Sequence, residues 1–164
     1  MILIGLGANL PSPEHGPPQA TLEAALDALG AQGANVLRRS PWYESAPVPP
    51  SGQPWYVNAV AEVESALSPQ ALLAALLDVE AGFGRVRSVR NASRTVDLDL
   101  LDYRGLVTGP GEKPELPHPR LHERAFVLLP LRDLAPGWRH PASGRTVGAL
   151  IEALGRPGPV RRLP

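Results

Sequence analysis

Thr95-Val96-Asp97-Leu98-Asp99-Leu100-Leu101-Asp102-Tyr103 is the stretch on which fold and chemistry both turn. Its alternating apolar positions read as a strand, the strongest in the chain. Residues two apart on a strand share a face, so Asp97 and Asp99 project together while Val96, Leu98 and Leu100 enter the core. Two neighbouring carboxylates repel unless a cation stands between them. Hard oxygen donors of this kind suit Mg²⁺, which keeps waters and shares substrate phosphates. On this motif alone a second reading stands beside the first, the solvent-facing acidic edge of an amphipathic strand.

Immediately upstream lie Arg85, Arg87, Arg90 and Arg94 in a loop flanked by glycine. Guanidinium groups match phosphate oxygens as planar forks. Beside a diacid they fit a polyphosphate–metal complex, the metal taking some oxygens and the arginines the others. Taken singly, each arginine also reads as one half of a surface ion pair of small value.

Further upstream, Tyr56 to Val63 alternates cleanly, with Tyr56, Asn58, Val60 and Glu62 on one face and Val57, Ala59, Ala61 and Val63 on the other. Tyr56 offers a stacking plane, and the Asn58 amide offers a donor and an acceptor together, a pairing suited to a flat heterocycle. A core tyrosine with a turn-capping asparagine is the plainer reading of the pair. Before this strand runs Ala46-Pro47-Val48-Pro49-Pro50-Ser51-Gly52-Gln53-Pro54, a stiff segment that cannot be regular structure. Loops of this length between strands commonly carry function. Downstream, Leu116-Pro117-His118-Pro119-Arg120-Leu121 holds His118 between two prolines, with Arg124 and Phe126 following.

The remaining segments complete an alternation of strands and helices. Ile2 to Gly7 reads as a central strand, apolar on both faces. Leu22, Ala25, Leu26 and Leu29 mark a helix face within Thr21 to Leu29. Val36 to Tyr43 reads as a strand broken at Pro41. Ser68-Pro69 supplies an N-cap and a first-turn proline for a helix to Ala81. His118 to Glu123 reads as one helical turn and Phe126 to Leu134 as another helical segment, and Thr146 caps a short helix ending at Leu154. The pattern predicts one α+β domain over residues 1–164, a ferredoxin-like plait with helices packed outside a mixed or antiparallel sheet. About residues 155–164 read as a loose Pro- and Arg-rich tail.

Composition narrows the function classes. The chain has 164 residues, 43% of them hydrophobic, enough for a core, and its 16 basic and 16 acidic side chains cancel. No global cationic field exists for nucleic acid, and no stretch reaches the ~20 apolar residues of a membrane span. The expected setting is the cytoplasm, without nucleic-acid or membrane partners, as a monomer. There are no cysteines, so thiolate metal sites and disulfides are excluded. The GxxxxGK[ST] phosphate loop is missing, and Gly5-Leu6-Gly7-Ala8-Asn9-Leu10 lacks the third glycine of a dinucleotide fingerprint.

Five short segments in order resemble the 6-hydroxymethyl-7,8-dihydropterin pyrophosphokinase family of folate biosynthesis, from Leu3 to about Pro136. They are Gly7-Ala8-Asn9-Leu10; Tyr43-Glu44-Ser45-Ala46-Pro47 with Gln53-Pro54-Trp55-Tyr56-Val57-Asn58; Val79-Glu80-Ala81-Gly82-Phe83-Gly84-Arg85-Val86-Arg87; Arg94-Thr95-Val96-Asp97-Leu98-Asp99-Leu100; and Pro117-His118-Pro119-Arg120-Leu121. The resemblance implies Mg-dependent transfer of pyrophosphate from ATP to a pterin hydroxymethyl group, giving AMP. It implies that Asp97 and Asp99 bind two Mg²⁺ ions and that Arg85 and Arg94 contact the transferring phosphates. Glu80, Arg87, Lys113, His118 and Arg124 would line the nucleotide side. Tyr56 and Phe126 would sandwich the pterin, Asn58 would bond its amide edge, and Ser45 and Val48 would add contacts. The proline and arginine loops would close as lids. At Arg90-Asn91-Ala92-Ser93-Arg94 the chain departs from the family's Arg-Trp-Gly-Pro-Arg. Two alternatives remain beside this reading: another Mg-dependent phosphotransferase on the same plait, and a non-enzymatic α+β module binding nucleotide or RNA.

Overall fold

The structure is a computed structural model that describes residues 1–47, 49–84, 96–156 and 158–164. Its elements are β1 (Ile2–Ala8), α1 (Pro18–Ala31), β2 (Ala34–Arg39), β3 (Tyr43–Ser45), β4 (Tyr56–Ser65), α2 (Pro69–Gly82), β5 (Asp97–Tyr103), a 3₁₀ turn (Leu121–Glu123), α3 (Ala125–Leu134), α4 (Val147–Leu154) and β6 (Val160–Arg162). The strands form one sheet in the order β5-β1-β4-β3-β6, and β2 also pairs with β4. Every pairing is antiparallel. The path β1-α1-β2-β4-α2-β5 with spatial order β5-β1-β4-β2 is the ferredoxin-like plait.

The seven residues of β1 are all buried, as a continuously apolar central strand requires. Period-two alternation sorts the strand side chains onto two faces. On the first, Ile4 and Leu6 of β1, Ala59 and Ala61 of β4, and Leu98 and Leu100 of β5 meet Leu22 and Leu29 of α1 and Leu72 and Leu76 of α2. On the second, Leu3, Val60 and Leu101 meet Val127, Leu128 and Leu131 of α3 and Leu150 of α4. The β1–β5 register shifts between Leu3 and Ile4. Leu101 is the extra residue, and with it both Leu101 and Asp102 lie on the second face, Asp102 against Trp138, before Tyr103 returns to the first. Asp102, next along, is buried: one carboxylate oxygen accepts from Trp138 Nε1 and the other from the Gly105 amide, each at 2.9 Å.

Helix entry follows the sequence. The Ser68 side chain accepts from the Ala71 amide ahead of Pro69, and Thr146 caps α4 through the Ala149 amide. Two elements differ from expectation. The segment expected as one strand broken at Pro41 divides into β2 and β3, since Pro41 has no amide hydrogen to give a ladder. The tail expected to be loose contains β6, paired to β3 and held by Leu163, which packs against the first core.

Candidate active site

The site grows from the glycines of β1. Leu3 points to the second face, and Gly5 and Gly7 follow it there by period two. The register sets Gly7 opposite Asp97 on one side and Asn58 on the other, with Tyr43 opposite Asn58 in turn. Gly5 stands between Asp99 and Val60. The diacid and the asparagine therefore occupy the same face with only a glycine between them, two strand spacings or roughly 10 Å apart. A Cβ at Gly7 would lie 3.2 Å from Asn58 Nδ2, and one at Gly5 would lie 3.4 Å from the Leu101 side chain. Glycine at 7 admits the amide, and glycine at 5 admits Leu101.

On the β4 side, Asn58 is buried and its Oδ1 accepts from Ser45 Oγ at 2.6 Å. The bond fixes the amide plane. Tyr56 is half-buried on the same face and opposite Ser45. Asn9, only 1% exposed, donates from Nδ2 to Gln53 Oε1 and to the Pro54 carbonyl, each at 3.2 Å. It ties the returning end of the proline loop to the end of β1.

On the β5 side, Asp97 and Asp99 are half-buried while Val96, Leu98 and Leu100 are buried, the alternation that the sequence predicts. Arg124 precedes α3 and brings Nη1 to 3.6 Å from Asp99 Oδ2. Its guanidinium carbon lies 5.6 Å from the Phe126 ring centroid. The His118 amide donates to the Leu101 carbonyl at 2.9 Å, which draws the 105–117 loop against β5. Burial, and then Arg124, push the His118 imidazole down to about 4 against the opposing pull of Asp97. The ring is neutral at pH 7. Its Nδ1 accepts from the Arg120 amide at 3.2 Å, so Nε2 carries the proton and is available as a donor.

Glu80 is 1% exposed and its carboxylate accepts the Leu98 amide at 2.7 Å. It sits behind the diacid strand rather than on the face that carries Asp97 and Asp99. Lys113 is exposed on the 105–117 loop. The structure thus gathers Asp97, Asp99, Arg124 and His118 on one side, with Phe126 against Arg124, and Ser45, Asn58 and Tyr56 on the other. Arg85, Arg87, Arg94 and Val48 lie outside the described residues, as does the departure at 90–94. Sequence reasoning singled out neither Asn9 nor Gly7 for a role. The only signal was their place in Gly7-Ala8-Asn9-Leu10 at the end of a central strand.

The residues present fit magnesium by the chemistry of their donors. Two hard carboxylates share one face, and no group of three or more His, Cys, Asp or Glu able to hold a metal occurs among the described residues. An ion held by two protein carboxylates must complete its shell with phosphate and water oxygens, which is the habit of Mg²⁺.

A family model described as 7,8-dihydro-6-hydroxymethylpterin-pyrophosphokinase (HPPK) matches residues 3–136. The chain is 40% identical over 165 residues to the 2-amino-4-hydroxy-6-hydroxymethyldihydropteridine pyrophosphokinase of Pseudomonas aeruginosa, covering 99% of this chain and 96% of that one. To the protein of the same name from Synechocystis it is 40% identical over 153 residues, covering 93% of this chain and 75% of the other. Among solved structures, wild-type Plasmodium falciparum HPPK-DHPS with STZ-DHP superposes with a TM-score of 0.62 at 13% identity, over 93% of this chain and 41% of that chain. The chain thus spans less than half the length of that solved protein, and the likeness at this identity bears on the fold.

Proposed function

The chain belongs to the 7,8-dihydro-6-hydroxymethylpterin-pyrophosphokinase family, and from that premise we propose how its residues carry pyrophosphate from ATP to the hydroxymethyl group of 6-hydroxymethyl-7,8-dihydropterin in folate biosynthesis. The hydroxymethyl oxygen forms a bond to the β-phosphorus, the bond from that phosphorus to the α–β bridging oxygen breaks, and AMP leaves with that oxygen. The hydroxyl proton passes to solvent. Such a transfer depends on alignment and charge stabilisation more than on a strong base.

The observation that carries this reading is the row Asp97–Gly7–Asn58, a diacid and an oriented amide on one face with bare backbone between them. Asp97 and Asp99 are the residues that would hold Mg²⁺, as two ions in this proposal. Bound there, the metal supplies charge neutralisation of the polyphosphate. Arg124 and the neutral His118 stand beside the diacid and are assigned to the ATP phosphates and nucleotide. Arg85, Arg87, Arg94 and Lys113 are assigned to the same side from the family resemblance, with Arg85 and Arg94 on the transferring group. Ser45 orients Asn58, whose amide reads the pterin edge, and Tyr56, Phe126 and Val48 complete the pterin wall. Glu80 is assigned to holding β5 in place. No described helix is long and apolar enough to cross a membrane, and the cytoplasm is the proposed setting.

The test is direct. The protein is incubated with ATP, Mg²⁺ and 6-hydroxymethyl-7,8-dihydropterin, and the nucleotides are separated. Pterin-dependent AMP is the expected product. ADP would mean a conventional kinase on the same plait. In Asn58→Ala the KM for pterin rises while that for ATP holds, and an unchanged pterin KM removes the pterin assignment.

A further inference from the structure

β6 lies beyond the residues 3–136 that the family model matches, yet it grips the strand that orients Asn58. β3 is three residues long and leads directly into the proline loop. Its outer edge is completed by β6, with Glu44 opposite Arg161 and Ser45 opposite Val160. The Ala46 amide, at the loop's departure, donates to the Pro159 carbonyl at 3.0 Å, and the Leu163 amide donates to the Trp42 carbonyl at 2.9 Å. Arg161 then spans the loop's two ends. Its Nε pairs with Glu44 Oε1 before the loop, and its guanidinium carbon lies 5.2 Å from the Trp55 ring centroid after it.

Ser45 is therefore bracketed by Glu44, which β6 holds, and Ala46, which Pro159 just ahead of β6 holds, while its hydroxyl sets the Asn58 amide. We propose that Arg161 is a positioning residue for the flat-ring substrate: by tying Glu44 to Trp55 it fixes the span of loop 46–54 and pre-organises the Ser45–Asn58–Tyr56 wall. The inference rests on the pterin reading of that wall. Each contact of Arg161 is individually weak because the side chain is largely exposed. Their effect falls on substrate affinity, since a wall already in place need not be ordered on binding.

The exposure of Arg161 also makes the test clean, because Arg161→Ala leaves both cores intact. The KM for pterin is expected to rise about three- to tenfold, with kcat and the KM for ATP unchanged. Arg161→Lys, which keeps the charge over Trp55, should recover much of the loss. Hydrogen exchange at the Ala46 amide, read without substrate, should quicken in Arg161→Ala. An unchanged pterin KM overturns the proposal, and so does a rise in both KM values together with a lower Tm, which marks a merely structural strand. If the wild-type protein makes no pterin-dependent AMP, the reading of the site fails; the brace is then decided by Ala46 exchange alone, and unaltered exchange rejects it.

Discussion

The buried carboxylate of Glu80 accepts the amide of Leu98, the residue that separates Asp97 from Asp99. β5 has a strand neighbour, β1, on one side. An amide on its other side needs an acceptor from elsewhere, and α2 supplies one in Glu80. The bond fixes the backbone at the one residue on which the spacing of both carboxylates depends. Glu80→Ala should lower the free energy of unfolding by about 2–4 kcal/mol, from a buried amide losing its partner and from the void left behind. It should also raise the Mg²⁺ concentration for half-maximal activity. Glu80→Gln keeps an acceptor oxygen and should lose less on both counts. Urea denaturation and a Mg²⁺ titration read the two effects, and wild-type values in Glu80→Ala would remove this role.

Gly7→Ala tests the bare stretch of backbone between the metal side and the pterin side. The added methyl carbon would sit 3.2 Å from Asn58 Nδ2, closer than a comfortable contact. The amide must turn or withdraw, which disturbs its bond to Ser45. The pterin Kd should rise at least about tenfold while ATP binding is retained, as measured by calorimetry with each ligand. Undisturbed pterin binding would mean that the amide has slack the geometry does not suggest.

Asp97→Asn and Asp99→Asn keep the side-chain shape and remove a charge. Either should reduce AMP formation about a hundredfold or more with the near-UV circular dichroism unchanged. Chelation of divalent metal should stop the wild-type reaction, and added Mg²⁺ should restore it. Full activity in either variant would refute the metal assignment.

His140 makes stability depend on pH away from the site. Its Nδ1 accepts from the Ala142 and Ser143 amides, and its ring meets Trp138 and His122 edge-on at 6.0 and 6.1 Å. Burial, and then His122, hold its pKa below the ordinary 6.5, against the pull of Asp102. Below that ordinary value the unfolded chain takes up a proton that the folded chain still refuses. The stabilisation is therefore full above about 6.5 and is lost as pH falls toward the folded pKa. His140→Asn, which keeps an acceptor near the Nδ1 position, should show a shallower fall of Tm between pH 7 and 5 than the wild type. Parallel curves would exclude the contribution.

What could be read in advance was whatever depends on local period. Alternation along β4 and β5 put Asn58 with Tyr56 and Asp97 with Asp99, and Ser68 and Thr146 announced their helices. What escaped depends on distant partners. A Pro- and Arg-rich tail carries no periodicity, and β6 forms because β3 has a free edge and Leu163 a place on the core. The family resemblance puts Glu80 on the nucleotide side, and nothing within α2 indicates that β5 lies against it. The role of Gly7 likewise emerges only when Asn58 is set beside it by register.

The register shift in β2 bears on how the molecule behaves among copies of itself. Among the described residues β2 pairs with β4 on one side only, and its Val36 and Leu37 are exposed. A straight apolar edge of this kind would template another chain. The pairing skips between Val36 and Arg38, so the backbone kinks where a second strand would have to lie flat. Arg38 and Arg39 follow at once, the first held by Glu62 and the Leu134 carbonyl, the second over Trp42. A kink followed by two fixed cations is a guard against aggregation, and straightening that edge would show first as turbidity in concentrated solution, before any loss of turnover.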